Sequence, residues 1–323
     1  MTFSNFDDLA WHIRRLRHAR ESGRLVFVLG SGVNALYGLP DWSTLIVDLL
    51  LDSGRIRKAT AVGGDAIKTV LHEVIRDPLL QAIAVRSAFA RKDQWLACLE
   101  TRVRDYDRSE VVDDSKPIAK IAALVARQYL ADRHRHVSVI SFNYDDLLEV
   151  ALCSLLEDSS NSVHSISGER AFIGSIHRAG IFVYHLHGFV GHPESDIVLD
   201  AGSYVNVLAS PGRHWSWQCM NAYLFHDQSA ALFLGLSLMD PSLRLLLTQA
   251  AVRGLSLSGV YVSKPFPVLD ETEVDRLRNM AFAAHDIVQL FDGVLRALSL
   301  VPYHVKSWDE LPALLDYVAE EGE

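Results

Sequence analysis

The chain has 323 residues, 31 basic against 40 acidic, for a net charge of −9. That balance excludes a broad nucleic-acid footprint, and no apolar run approaches the length of a membrane span. Three scattered cysteines, Cys98, Cys153 and Cys219, make neither a disulfide framework nor a Cys-x-x-Cys zinc site, and the N-terminal stretch is unlike a secretory signal, so a soluble cytoplasmic protein is expected.

Residues 4–22 are expected to form a helix with Phe6, Leu9, Ile13 and Leu16 on one face. Leu25 to Leu29 reads as a buried parallel strand, followed by Gly30-Ser31-Gly32, Val33-Asn34 and a second break at Gly38-Leu39-Pro40. Two near-adjacent glycines at a strand end let backbone N–H groups approach a phosphate. They serve a plain strand-to-helix turn equally well. The spacing is not the dinucleotide fingerprint, and the P-loop lysine is missing. Asp41 precedes a helix to about Leu51, and residues 65–104 keep a helical period with no strand among them. Pro117 opens another helix to about Ala131. Residues 60–130 are therefore expected to be a helical insertion, a smaller subdomain within one domain spanning 1–323.

A second strand is expected at His136 to Phe142, with a helix from about Asp145. The polar run from Asp158 to Glu169 reads as a loop. Strands follow at Ile181 to His187, Ala230 to Gly235, Gly259 to Ser263 and Val301 to Val305, with a short one possible at Ile197 to Leu199. Helices are expected over 213–226, from Asp240 to Val252, from about Glu271 and from Asp309 to Glu320. The alternation predicts an α/β fold, a Rossmann-like parallel sheet flanked by helices.

Ligands of such sheets gather beyond the C-terminal strand ends. Four polar clusters fall there: Gly30-Ser31-Gly32, Asn143-Tyr144-Asp145, His185-Leu186-His187-Gly188 and Gly235-Leu236-Ser237. Each has a plainer explanation. Asn143 and Asp145 suit the cap of the following helix, and Asp240 the cap of its own. His185 and His187 are expected on opposite sides of their strand, which weakens a metal pair, and no third ligand is evident. His187 is the one expected to face a site; His185 is expected to be packed and hydrogen-bonded.

Together the clusters resemble the sirtuin family. Gly30-Ser-Gly-Val-Asn34 with Gly38-Leu-Pro-Asp41 is similar to the G-A-G-I-S…G-I-P-D-F loop, and Phe142-Asn143-Tyr144-Asp145 to the Q-N-I-D segment. Leu186-His187-Gly188 is similar to the catalytic histidine–glycine pair, and Gly235-Leu-Ser237-Leu238 to the G-T-S-L segment that holds the cofactor. Order and spacing agree across roughly 24–263. The form of the second and fourth segments, Ser141-Phe-Asn-Tyr-Asp145 and Phe233-Leu-Gly235-Leu-Ser237-Leu-Met-Asp240-Pro241, is similar to the NAD⁺-hydrolysing members of bacterial antiphage defence systems. The chain departs from deacylating sirtuins: it lacks the four-cysteine zinc module, the F-G-E segment after Gly188 and the arginine after the loop aromatic, where Trp42-Ser43 stands.

The resemblance implies NAD⁺ as substrate, no metal, and water rather than acyl-lysine as acceptor. It implies that Gly30, Ser31 and Gly32 cradle the pyrophosphate, and Gly235 and Ser237 the adenosine side. Asn34 and Asp41 belong to the cofactor loop, and Trp42 shields the reacting carbon. It makes Asn143 the residue that holds a ribose hydroxyl or the attacking water, His187 the general base, and Asp145 the group that orients the nicotinamide amide. The activity implied is NAD⁺ glycohydrolysis, with a protein deacylase or a non-catalytic NAD⁺ or ADP-ribose sensor as alternatives. A homo-oligomer or a partner chain such as an ATPase is implied as regulator, with 60–130 as the contact.

Overall fold

The computed structural model describes residues 6–55, 64–190, 192, 195, 197–199, 201–209, 213–226, 229–236, 240–255, 257–263, 284–305 and 307–320. Among the described residues, seven strands form one all-parallel sheet: β1 (Leu25–Leu29), β2 (His136–Ser141), β3 (Val163–Ile166), β4 (Gly180–His185), β5 (Ala230–Leu234), β6 (Gly259–Ser263) and β7 (Leu300–His304). Their order across the sheet is β3-β4-β2-β1-β5-β6-β7. The chain leaves β1 to one side for β2, β3 and β4, then returns to the other side at β5. The crevice between β1 and β5 is thus the topological switch point.

The central strands are largely apolar because both faces are covered. Phe27, Val139, Val183 and Leu232 face α1 (Phe6–Glu21), α7 (Pro117–Ala131), α8 (Leu147–Leu155) and the C-terminal helix Leu311–Ala319. Val28, Ile140, Tyr184 and Phe233 face the other layer, which includes Trp215–Leu224 and Pro241–Val252. A third apolar cluster stands apart. It gathers α2 (Trp42–Asp52), α4 (Pro78–Ala88) and α5 (Lys92–Val103) around Ile46, Leu49, Val85, Trp95 and Leu99, with Tyr144, Val190 and Leu199. Helix α3 (Gly64–Val74) joins it through Leu71. Within the expected insertion, then, α3 to α5 build their own core while α7 packs on the sheet.

Two expectations need correction. The polar run 158–169 holds β3, which pairs with β4 from Val163↔Ile181 to Ile166↔Tyr184. Being four residues at the sheet edge, with His164 and Ser165 between its apolar ends, it carries little sequence signal; β4 supplies the hydrogen bonds that fix it. Residues 197–199 are not a strand, although Val198 and Leu199 are buried. The helix expected from about Glu271 begins outside the described residues, and Ala284–Ala297 is helical.

Candidate functional site

Strand register brings the four clusters together. Leu234 pairs with Leu29, Leu29 with Ser141, and Ser141 with His185, one row along the C-terminal edge of β5, β1, β2 and β4. Gly235, Gly30, Phe142-Asn143 and Leu186-His187 continue directly from that row.

The glycines act differently from the expected phosphate cradle. The N–H of Gly30 donates to Leu234 O and that of Gly32 to Gly235 O, each at 2.9 Å. A Cβ on Gly235, whose φ is +66°, would lie 2.4 Å from Val33 N, and one on Gly30 would lie 2.6 Å from Gly235 O. These glycines let the two turns pack backbone against backbone. The Gly30 and Gly32 N–H groups are thereby consumed. Ser31 is exposed, and neither its N–H nor its hydroxyl has a partner among the described residues, so Ser31 is the member of the trio left to meet an anion.

Asn34 and Asp145 meet beneath this turn. Asn34 Nδ2 donates to Asp145 Oδ2 at 2.5 Å, while Asp145 Oδ1 accepts the Leu147 N–H at 3.2 Å. Asp145 thus lends one oxygen to the start of α8 and the other to Asn34. Burial pushes its carboxyl up to about 6, because the charged form loses water. Asn34 is 4% exposed, and its Oδ1 is buried with no partner among the described residues. An orphan acceptor of that kind is expensive unless a ligand donor completes it. Asn143 is held through its backbone: its N–H donates to Ser141 Oγ at 3.1 Å and its carbonyl accepts from His185 Nδ1 at 3.1 Å. Its side chain has no hydrogen bond among the described residues and is free to act on a substrate.

The two histidines have different surroundings, though not because they point to opposite sides of a strand. Residues two apart on a strand share a face; it is the end of β4 at His185, and the turn at Leu186–His187, that parts them. His185 is buried against α8, with Nε2 2.6 Å from Glu149 Oε1. His187 instead sits among aromatic edges, with ring centroids 4.9 Å from Phe142, 5.3 Å from Tyr204 and 6.4 Å from Tyr144. Its Nε2 lies 3.2 Å from Asp240 Oδ2 and 3.4 Å from the Tyr204 hydroxyl, which donates to the same carboxylate at 2.6 Å.

Asp240 is the residue the sequence undersold. It does cap its helix, accepting the Leu243 N–H at 2.8 Å and the Ser242 hydroxyl at 2.6 Å through Oδ1. Its other oxygen faces His187. Burial would raise its pKa, but the His187 charge and those hydrogen bonds prevail and hold it well below the usual carboxylate range. Tyr204, on the helix Ala201–Leu208, had no motif to announce it.

Asp41 and Trp42 lie on the insertion side. Asp41 caps α2, its Oδ1 accepting the Thr44 N–H at 2.8 Å and the Thr44 and Ser43 hydroxyls. Trp42 packs against the third cluster that includes Tyr144, and its buried indole N–H has no partner among the described residues. Ser237 lies outside the described residues. Among the described residues no group of three or more His, Cys, Asp or Glu side chains is arranged to hold a metal ion. No described helix is long and apolar enough to cross a membrane.

No curated protein matches the chain. A family model described as a SIR2-like domain matches residues 137–284, somewhat under half of the chain, from β2 through β6. The matched span holds Asn143, Asp145, His187, Tyr204, Gly235 and Asp240, while β1 and its glycine turn join it through the sheet. Residues 137–284 of this α/β chain are thus similar to a SIR2-like domain.

Proposed function

We propose that the chain is an NAD⁺ glycohydrolase, cleaving NAD⁺ with water into nicotinamide and ADP-ribose. The observation that carries this reading is the His187–Asp240 pair, which joins the turn after β4 to the helix after β5 on the edge of the sheet where Asn143 follows β2. A carboxylate accepting from Nε2–H keeps the imidazole in the tautomer whose lone pair is on Nδ1, and Nδ1 has no hydrogen bond among the described residues. That nitrogen takes the proton from the attacking water as the nicotinamide–ribose bond breaks. The leaving nicotinamide takes the bonding electrons and departs neutral. Water oxygen becomes the new hydroxyl of ADP-ribose.

The other side chains position and shield. Asn143 holds the water or a ribose hydroxyl. The orphan Asn34 Oδ1 and Asp145 suit a carboxamide, which offers N–H donors and a carbonyl acceptor. Phe142, Tyr144 and Tyr204 wall the imidazole with apolar edges, keeping bulk water from the reacting carbon. Ser31 serves the pyrophosphate.

Incubation with NAD⁺, and separately with NAD⁺ plus an acetylated peptide, tests the reading when nicotinamide and ADP-ribose are followed. Release without peptide is expected, with Asn143→Ala and His187→Ala each lowering the rate by roughly 10²–10⁴-fold. Turnover that requires the peptide would make the chain a deacylase; NAD⁺ bound but uncleaved would make it a sensor. The resemblance supports NAD⁺ depletion in antiphage defence as the setting. We further propose assembly as a homo-oligomer or with a partner such as an ATPase, through the insertion. Exposed Val70, Val74, Leu80 and Ile83 on α3 and α4 support that surface. Light scattering of a Val70→Glu, Val74→Glu variant tests it; an unchanged mass would remove the surface from consideration.

A further inference from the structure

His185 takes no part in the proton transfer above, yet it is 1% exposed and bonded at both ring nitrogens. Nε2 meets Glu149 Oε1 on α8 at 2.6 Å, and Nδ1 donates to the Asn143 carbonyl at 3.1 Å. Glu149 Oε1 also accepts the Ser165 hydroxyl from β3 at 2.7 Å. The Phe189 ring covers the imidazole with centroids 4.6 Å apart, and Asp145 is the other charge acting on it. Both ring nitrogens therefore face acceptors. A neutral imidazole can donate to only one of them, so the arrangement calls for the doubly protonated ring. Burial by itself would lower the pKa; the Glu149 charge and hydrogen bond, then the Asn143 carbonyl and Asp145, outweigh it and the net direction is up.

We propose that His185 is a positioning residue: paired with Glu149, it holds the Asn143 carbonyl and so fixes the loop presenting Asn143 and Asp145. The proposal rests on the NAD⁺-cleaving reading of the site for its kinetic consequence, though not for its geometry. Because the Asn143 side chain has no hydrogen bond of its own among the described residues, its aim depends on its backbone. Two contacts fix that backbone near the side chain, the Ser141 hydroxyl and the His185 ring. A misplacement of about 1 Å in such a group costs on the order of 10²-fold in rate.

The test compares wild type with Glu149→Gln, His185→Ala, His185→Asn and the double variant Glu149→Gln, His185→Asn. An asparagine amide stands near the place of Nδ1 and still donates to the Asn143 carbonyl, while the double variant leaves no buried charge unpaired. Nitrogen-15 NMR of the His185 ring and of the Asn143 amide reports the geometry; kcat and KM for NAD⁺ per folded molecule report its consequence. The wild-type ring is expected doubly protonated at pH 7, neutral in Glu149→Gln, with the Asn143 amide resonance displaced. In His185→Ala, kcat should fall by roughly 10–10²-fold with KM changed only a few-fold, and His185→Asn and the double variant should recover part of it. A neutral wild-type ring, an unmoved Asn143 resonance, or a folded His185→Ala with wild-type kcat overturns the proposal. If wild type releases no nicotinamide, the functional reading fails, and the NMR arm still decides the positioning.

Discussion

His187 Nε2 lies 3.2 Å from Asp240 Oδ2, so a residue in the turn after β4 is paired with the cap of the helix after β5. Asp240→Asn tests what the charge contributes. Asparagine caps a helix about as well as aspartate, and its oxygen can still accept from Tyr204 or Leu243. Its amide, however, would present a donor to His187 Nε2 and favour the wrong tautomer. We expect a rate loss on the order of 10²–10⁴-fold with little change in melting temperature. A variant that melts early and keeps full turnover per folded molecule would return Asp240 to capping alone.

Tyr204→Phe separates packing from hydrogen bonding at the same pair. The ring still covers His187, but Asp240 loses the donor at 2.6 Å. Leaving a buried carboxylate short of one donor costs roughly 1–3 kcal/mol, read as a lowered denaturant midpoint. KM for NAD⁺ should change less than kcat, since the hydroxyl steadies the base rather than the substrate.

Gly235 and Gly54 share nearly the same positive φ, +66° and +69°, and differ in surroundings. Alanine at either costs roughly 1–2 kcal/mol for the left-handed backbone. At Gly54 nothing lies within 4 Å of the added Cβ, so the cost should stop there. At Gly235 the Cβ would meet Val33 N at 2.4 Å and Gly30 O at 2.8 Å, so the β1 and β5 turns must separate. Urea melts should show the larger loss at Gly235→Ala, together with lost NAD⁺ turnover. Equal losses would mean the two turns are not locked together.

That comparison also shows what the sequence could and could not convey. Most strands and helices, and the gathering of Asn143, His187 and the glycine turns at one edge, were legible, because period and punctuation are local, although β4 ends at His185 and not at the expected His187. The use of the glycines was not. Gly32 donates to Gly235 across some two hundred residues, and no local pattern encodes whether a glycine faces a ligand or another turn. Asp240 was legible as a cap because Pro241 follows it, and that explanation concealed the second oxygen. Tyr204 and Glu149 were invisible for the same physical reason: their partners, Asp240 and His185, are supplied by tertiary packing. β3 was missed because an edge strand needs only one apolar side and one neighbour.

Asp145 gives a pH prediction with a definite sign. Its folded pKa, about 6, stands above the ordinary 3.8 because burial penalises the carboxylate. Between those values the folded chain keeps a proton that the unfolded chain releases. Stability from this group is therefore greatest below the unfolded pKa, declines as pH rises through that window, and levels off above the folded pKa. Two pKa units correspond to about 3 kcal/mol of strain carried at neutral pH. Asp145→Asn removes the ionisation and keeps an oxygen for the Leu147 N–H. The variant should therefore be more stable than wild type at pH 7.5, by up to about 3 kcal/mol less whatever the altered contact with Asn34 costs. The advantage should shrink steadily toward pH 4.5. Nicotinamide release should fall at the same time, because the group that meets Asn34 and the carboxamide has lost its charge. Parallel wild-type and variant stability curves across that pH range would show that Asp145 stays ionised without strain, and the burial argument for it would fall.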